Sequence, residues 1–270
     1  MINVTESGGA SPESPDNTAA IQSAFDAAAP AETVLIPAGT FLVDAEKGLR
    51  PKAGTLIQID GVLKAIPNAN TNYRILSVEQ ENVIIQLNGA IIGERHEHKG
   101  TAGEWGMGIW IEAPATIVQG PGKICDCWGD GIYITGPNTA KTWIKEVSSI
   151  GNRRQGMSVI QCNGLYVHGA HFLGTGGTAP GAGIDFEPDR PGEQKIQNVV
   201  VTRTEFAGNA GAALLFVVPK GARSNIQVFD NLIKQKQPID GSDGIVPFWA
   251  KWFYQATRSY ALYPQELHIP

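Results

Sequence analysis

Asp185 and Glu187 stand two residues apart, and Asp130 lies upstream, directly before a glycine. Grouped carboxyl groups can divide the work of glycoside hydrolysis: one acid protonates the leaving oxygen while another acts as base or nucleophile. Neighbouring carboxylates also push their pKa values apart, which raises one of them toward general-acid use. Arg154 can join this set as a cation, and Asp185, Glu187, Asp130 and Arg154 are the candidate catalytic groups. Glu104, Trp105, Trp110, Tyr133 and Arg153 are the candidate substrate contacts, since sugars stack their apolar faces on aromatic rings and hydrogen-bond to charged groups. Acting on a uronic acid by β-elimination or epimerisation needs other parts, a cation for the sugar carboxylate and a base for the α-proton. Arg153, Arg154, Tyr133 and the His96/His98 tract hold groups of those types.

Each of these residues also has an ordinary reading. Asp185 and Glu187 fit a solvated strand face, Asp130 fits a turn residue bonding local backbone, and the arginines fit structural partners of those acids. Glu104 fits a loop anchor, and Trp110 with Tyr133 fits packing against another subunit. The run Glu94-Arg95-His96-Glu97-His98-Lys99 resembles a metal tract without a third ligand and reads better as a solvated loop. Cys125-x-Cys127 lacks a second pair, so it predicts inward-facing residues and no zinc site. No metal or other cofactor is expected, and no acid-rich calcium loop is evident.

The elements that must hold these residues show themselves as a repeat. A glycine followed by alternating apolar positions recurs at Gly108-Ile109-Trp110-Ile111, Gly131-Ile132-Tyr133-Ile134, Gly156-Met157-Ser158-Val159 and Gly183-Ile184-Asp185-Phe186, with a weaker copy at Gly211-Ala212-Ala213-Leu214. The copies are 23 to 28 residues apart. A second strand-like run follows each, at residues 115–118, 142–147, 164–167, 199–202 and 226–229, with turn signals such as Gly151-Asn152 and Gly208-Asn209 between them. Two short strands per repeat cannot bury an apolar face alone, but stacked coils can, as parallel sheets along a solenoid axis. A hairpin sandwich would need regularly placed two-residue turns, which are missing. Residues 33–36, 55–59 and 83–87 read as earlier coils. Residues 19–29, with Ile21, Phe25 and Ala28 on one stripe, read as an amphipathic helix capping the open end.

Alternation then assigns faces. Ile109, Ile111, Ile132, Ile134, Met157, Val159, Ile184 and Phe186 point inward. One outward column is Trp110, Tyr133, Ser158, Asp185 and Ala213, and the next is Glu112, Thr135, Ile160, Glu187 and Leu215. The long connections 94–105 and 173–182 enter one edge of this sheet, and 189–195 leaves the other, so together they wall a groove.

Composition agrees. The 270 residues include 32 Gly and 17 Pro but only 17% charged residues, against about 25% charged on average. A net charge of −5 speaks against a nucleic-acid partner, and no apolar run reaches the length needed for membrane insertion. Met1 to Glu6 lack the basic and apolar regions of a signal peptide. The three cysteines form no disulfide framework.

The stretch Asp16 to Ala29 followed by Val34-Leu35-Ile36-Pro37-Ala38-Gly39-Thr40-Phe41 resembles the N-terminal signature of pectate-lyase-like right-handed parallel β-helix proteins. The segments Gly103-Glu104-Trp105-Gly106, Cys127-Trp128-Gly129-Asp130-Gly131-Ile132-Tyr133, Asn152-Arg153-Arg154-Gln155-Gly156 and Gly183-Ile184-Asp185-Phe186-Glu187-Pro188 are similar to a subgroup of phage tail-spike depolymerases and bacterial carbohydrate-active β-helix proteins. The resemblance covers roughly residues 10–235. It implies an all-β, right-handed parallel β-helix at 1–245 with a short N-terminal capping helix, while the seven aromatics within 245–263, which do not continue the repeat, read as a C-terminal cap or subunit contact at 246–270. It also implies a polysaccharide substrate, an extracellular or virion-associated setting, and a homotrimer, the usual state of phage spikes. Epimerases of this superfamily carry Asp-Pro-His near the equivalent strand. Here Asp185-Phe186-Glu187-Pro188 lacks the histidine, which weakens the epimerase option, and the count of acids puts hydrolysis ahead of a lyase; a lyase, an epimerase or a non-catalytic glycan-binding spike module are the alternatives.

Overall fold

The computed structural model describes residues 1–218, 220–235 and 239–241. Among them, strands assemble into three sheets of nine, eight and seven strands, and every inter-strand ladder is parallel. The chain visits the sheets in turn. In one coil, Ala140–Lys145 lies in the first sheet, Ser148–Ile150 in the second and Met157–Val159 in the third, before Cys162–His168 returns to the first. Each strand pairs with its counterpart one coil away, which is the winding of a right-handed parallel β-helix. No helix among the described residues is long and apolar enough to cross a membrane.

The repeat predicts two strands per coil, whereas the structure has three. The additional strands, including Lys123–Cys125, Ser148–Ile150, His171–Leu173 and Glu205–Ala207, are only three residues long. Each presents a single fully inward residue, such as Ile124 or Phe172, too little for periodicity to register.

Alternation fills the interior. Leu56–Ile59 and Ile84–Leu87 bury Ile57, Ile59, Ile85 and Leu87, while Gln58 and Gln86 face out. All eight residues assigned inward on the third sheet are buried. Like side chains stack from coil to coil: Phe172 lies on Phe206 at 5.5 Å and Phe186 on Phe216 at 4.7 Å between ring centroids. Cys125, Cys127 and Cys162 are buried free thiols.

The predicted helix is Thr18–Ala27, begun by Asp16, whose Oδ1 accepts the Thr18 N–H at 2.8 Å. Ile21, Ala24 and Phe25 join the interior, so the helix covers the first coil. Ala28 is buried too, although it is already extended and past the helix. A short helix, Val4–Ser7, packs against it and was not anticipated. The proposed cap or contact at 246–270 lies outside the described residues.

Two register expectations change. Gly108, Gly131, Gly156 and Gly183 do stack, each giving its N–H to the residue before the next glycine, or to Ala212 in the last case. The fifth member is Ala213, not Gly211, because Asp185 pairs with Leu215. Leu215 therefore belongs to the first outward column and Ala213 lies outside it. None of the four has positive φ. A Cβ at Gly156 would sit 2.5 Å from the Gly183 carbonyl and 2.8 Å from Phe172, so glycine is required by space.

Candidate active site on the third sheet

The outer face of the third sheet carries the stacked positions Trp110, Tyr133, Ser158 and Asp185 in register. Connection 94–105 reaches this sheet from the second, as does 173–182. Arg95 ties the two together by donating to the Gly151 carbonyl at 2.6 Å and to the Gly176 carbonyl. Under these walls the column is largely shielded: Tyr133, Ser158 and Asp185 are buried although they point away from the core.

Five predicted residues come together there. Arg154 meets Asp130 Oδ2 at 3.2 Å through Nη1, Glu187 at 3.4 Å through Nη2 and Glu104 at 3.6 Å through Nε. Asp130 is fully buried and saturated: its Oδ2 also accepts from Ser158 Oγ at 2.6 Å, and its Oδ1 accepts the Gln155 N–H at 3.1 Å. The Gln155 side chain donates to Asp185 Oδ2 at 2.7 Å and accepts the Ala182 N–H at 2.6 Å. Asp185 Oδ1 is buried with no conventional partner. The nearby Glu187 carboxyl adds to the cost of ionising Asp185.

Electrostatics divide the acids. Burial lifts Asp130 to about 6, although Arg154, Ser158 and the Gln155 N–H all pull it down. Burial first, and Glu187 second, push Asp185 well above the usual carboxylate range against the opposing pull of Arg154. Burial alone would weaken Arg154 as a cation, but Asp130, Glu104, Asp185 and Glu187 outweigh it. Asp130 and Asp185 are thus enclosed. Glu104 and Glu187, with side chains 34% and 36% exposed, are the carboxyls that face solvent across Arg154.

Beside them lies an aromatic floor. Trp110 stacks on Tyr133 with centroids 4.4 Å apart and planes 13° apart. The Arg74 guanidinium lies 3.6 Å over Trp110, whose indole N–H donates to Glu112 at 2.8 Å. Trp105, 46% exposed, stands at the end of the loop carrying Glu104. Arg153 turns the other way, over Trp128 at 3.7 Å and onto the carbonyls of Gly103 and Trp128.

The solvated-loop expectation fails for His98. Its side chain is fully buried against Glu94 and Trp128, because the loop folds back over Tyr73 and Trp128 instead of extending into water. His96 remains 71% exposed, 3.3 Å from Asp126. Gln155 and Ser158 were not among the predicted site residues. Gln155 holds the same place before Gly156 that Asp130 holds before Gly131, so the repeat register contained that signal. Among the described residues, no group of three or more His, Cys, Asp or Glu side chains is disposed to hold a metal ion.

No family model matches the chain. It is 34% identical to the Bacillus subtilis protein YclG over 218 residues, 67% of this chain and 37% of that one. The chain spans only about a third of the length of the curated relatives it matches. Among solved structures it resembles tailspike protein gp49 of Acinetobacter baumannii bacteriophage Fri1, a capsular polysaccharide depolymerase. The TM-score is 0.70 at 14% identity, covering 89% of this chain and 48% of that one. It also resembles the A-module of the Azotobacter vinelandii mannuronan C-5 epimerase AlgE4, with a TM-score of 0.52 at 17% identity over 86% of this chain and 77% of that one. With the wound parallel sheets, the capping helix and these likenesses, the chain has a right-handed parallel β-helix fold.

Proposed function

We propose that this protein hydrolyses glycosidic bonds of a surface or extracellular polysaccharide. The observation that carries the reading is the placement of two partly exposed carboxyls, Glu187 and Glu104, on Arg154, with the buried Asp185, its pKa raised by burial and by Glu187, beside them. A proton held on Asp185 passes by way of Glu187 to the leaving glycosidic oxygen as the C–O bond breaks. Glu104, on the other side of Arg154, takes a proton from the water that attacks the anomeric carbon. Asp130 and Gln155 are enclosed, and their role is to hold Arg154 and Asp185 in place. Trp105, with its exposed ring, supplies a stacking surface for a sugar, while Trp110 and Tyr133, covered by each other and by Arg74, back the site.

Charge favours hydrolysis over elimination. A lyase must neutralise the uronate with a cation, but Arg154 is surrounded by four acids and Arg153 is engaged on Trp128 and two carbonyls. Such a centre suits a neutral sugar better than an acidic one. The likeness to a phage depolymerase supports a polymeric glycan substrate, an extracellular or virion-associated setting, and a homotrimer, which light scattering would test.

The decisive experiment offers a broad panel of bacterial polysaccharides and reads the products by mass spectrometry and ultraviolet absorbance. Saturated fragments heavier by one water per cleaved bond are expected. Unsaturated products would overturn hydrolysis in favour of elimination, and retention of a glycan with no product would reduce the chain to a binding module.

A further inference from the structure

The hydrolase reading leaves a buried ionisable pair unused. Glu94 and His98, four residues apart on connection 94–105, both have fully buried side chains. His98 Nδ1 lies 3.1 and 3.0 Å from the two Glu94 oxygens, and the Tyr73 hydroxyl donates to the same carboxylate. Burial raises the Glu94 pKa, while the His98 contact pulls it back. The imidazole lies flat on Trp128, with centroids 3.8 Å and planes 16° apart. The Arg153 guanidinium sits 3.7 Å from the same indole, and two planar groups that close must take opposite faces. Arg153 in turn donates to the Gly103 carbonyl at 2.9 Å, and the next residue is Glu104, whose carboxylate meets Arg154.

Glu94, His98, Trp128, Arg153 and Gly103 thus form one continuous stack ending at an exposed acid of the site. As mere filling the stack is costly. His98 Nε2 and Trp128 Nε1 are buried with no hydrogen-bond partner, and apolar residues of similar size would avoid that cost. What the polar pair adds is direction, because a hydrogen-bonded imidazole has one ring plane and so fixes the plane of the indole beneath it.

We propose that Glu94 and His98 are positioning residues that set the place of Glu104 through the Trp128–Arg153 stack. The proposal rests on the hydrolase reading only for its enzymatic assay. His98→Phe keeps a ring but removes the donor, and His98→Asn keeps a donor but removes the ring. Each is expected to lower kcat by roughly 10- to 100-fold, the scale of a sub-ångström to ångström misplacement, with KM within about threefold. Combined with Glu104→Gln, neither should lower kcat further, because the stack acts only through that carboxylate. Losses that multiply in the double variants would overturn the proposal.

Hydrogen exchange supplies a test that needs no substrate. In both variants the amides of 94–105 are expected to exchange at least tenfold faster while the remaining coils keep their protection. Unchanged exchange in 94–105, or faster exchange throughout, overturns positioning even if the polysaccharide panel yields no product.

Discussion

Asp130 and Asp185, two coils apart, are tied together by one residue between them: Gln155 gives its main-chain N–H to the first and its side-chain amide to the second. Both acids are buried with raised pKa values, yet they differ in what surrounds them. Asp130 accepts from Arg154, Ser158 and the Gln155 N–H, while one Asp185 oxygen has no hydrogen-bond partner. That difference divides the cluster into an acid that holds Arg154 and an acid whose pKa is pushed well above the usual carboxylate range.

Asp185→Asn and Glu187→Gln should each lower polymer cleavage by roughly 10²- to 10⁴-fold, the range associated with lost proton transfer, without loss of folded protein. Steady-state rates together with circular dichroism check this. If both variants cleave at the wild-type rate, the dyad is not the proton source.

The rate should be bell-shaped in pH. Protonation of Asp130 below about 6 removes the carboxylate that holds Arg154, and deprotonation of Asp185 above its raised pKa removes the proton to be donated. A kcat profile checks both limbs, and Asp130→Asn should remove the acidic one. Stability runs in one direction. Both folded-state pKa values exceed that of an ordinary aspartate, so this contribution is fully present below about pH 4. It is lost as pH rises through about 6 for Asp130 and through a higher range for Asp185. Melting temperature should therefore decline across that window, and less so in Asp185→Asn.

Gln155→Leu is close in size but leaves the Ala182 N–H and an Asp185 oxygen without partners. A cost of about 3 kcal/mol is expected from two buried groups left unsatisfied, together with lower activity. Chemical denaturation measures the first and the polymer assay the second. An unchanged denaturation midpoint would show that the bridge contributes nothing.

Gly156→Ala should destabilise by about 3 kcal/mol, at the upper end of ordinary overpacking, since its Cβ would meet the Gly183 carbonyl and Phe172. Gly174→Ala, with open space but positive φ, should cost about 1 kcal/mol. Thermal melts of the two variants side by side check the order, and a reversed order would sink the spatial account of the glycine column.

The third sheet and its face were legible because Ile132, Ile134, Met157 and Val159 repeat the same alternation at nearly constant spacing. The second sheet was not, since a strand such as Lys123–Cys125 has too few inward residues to carry a period. The slip at Gly211 has a similar cause. Ala212, Ala213 and Leu214 are all small or apolar, and only pairing with Ile184 selects the register. In the site, Asp130, Arg154, Asp185 and Glu187 could be gathered from column and lip positions. His98 could not, because its burial comes from a loop folding back on Trp128, a contact between irregular segments that no periodicity encodes.

The ladder that stacks the coils also behaves as a ruler. Neighbouring strands lie about 4.8 Å apart, so an acid moved by one coil is displaced by one rung and by no smaller step, because a one-residue slip along the strand would turn it to the other face. One rung is close to the roughly 5 Å carboxyl separation of retaining glycosidases, and two rungs are close to the wider spacing of inverting ones. On this scaffold, moving the carboxyl of Asp185 to the position of Ser158 would carry it one rung away from the strand that leads to Glu187 and one rung toward Asp130 in a single step, with every inward residue left where it is.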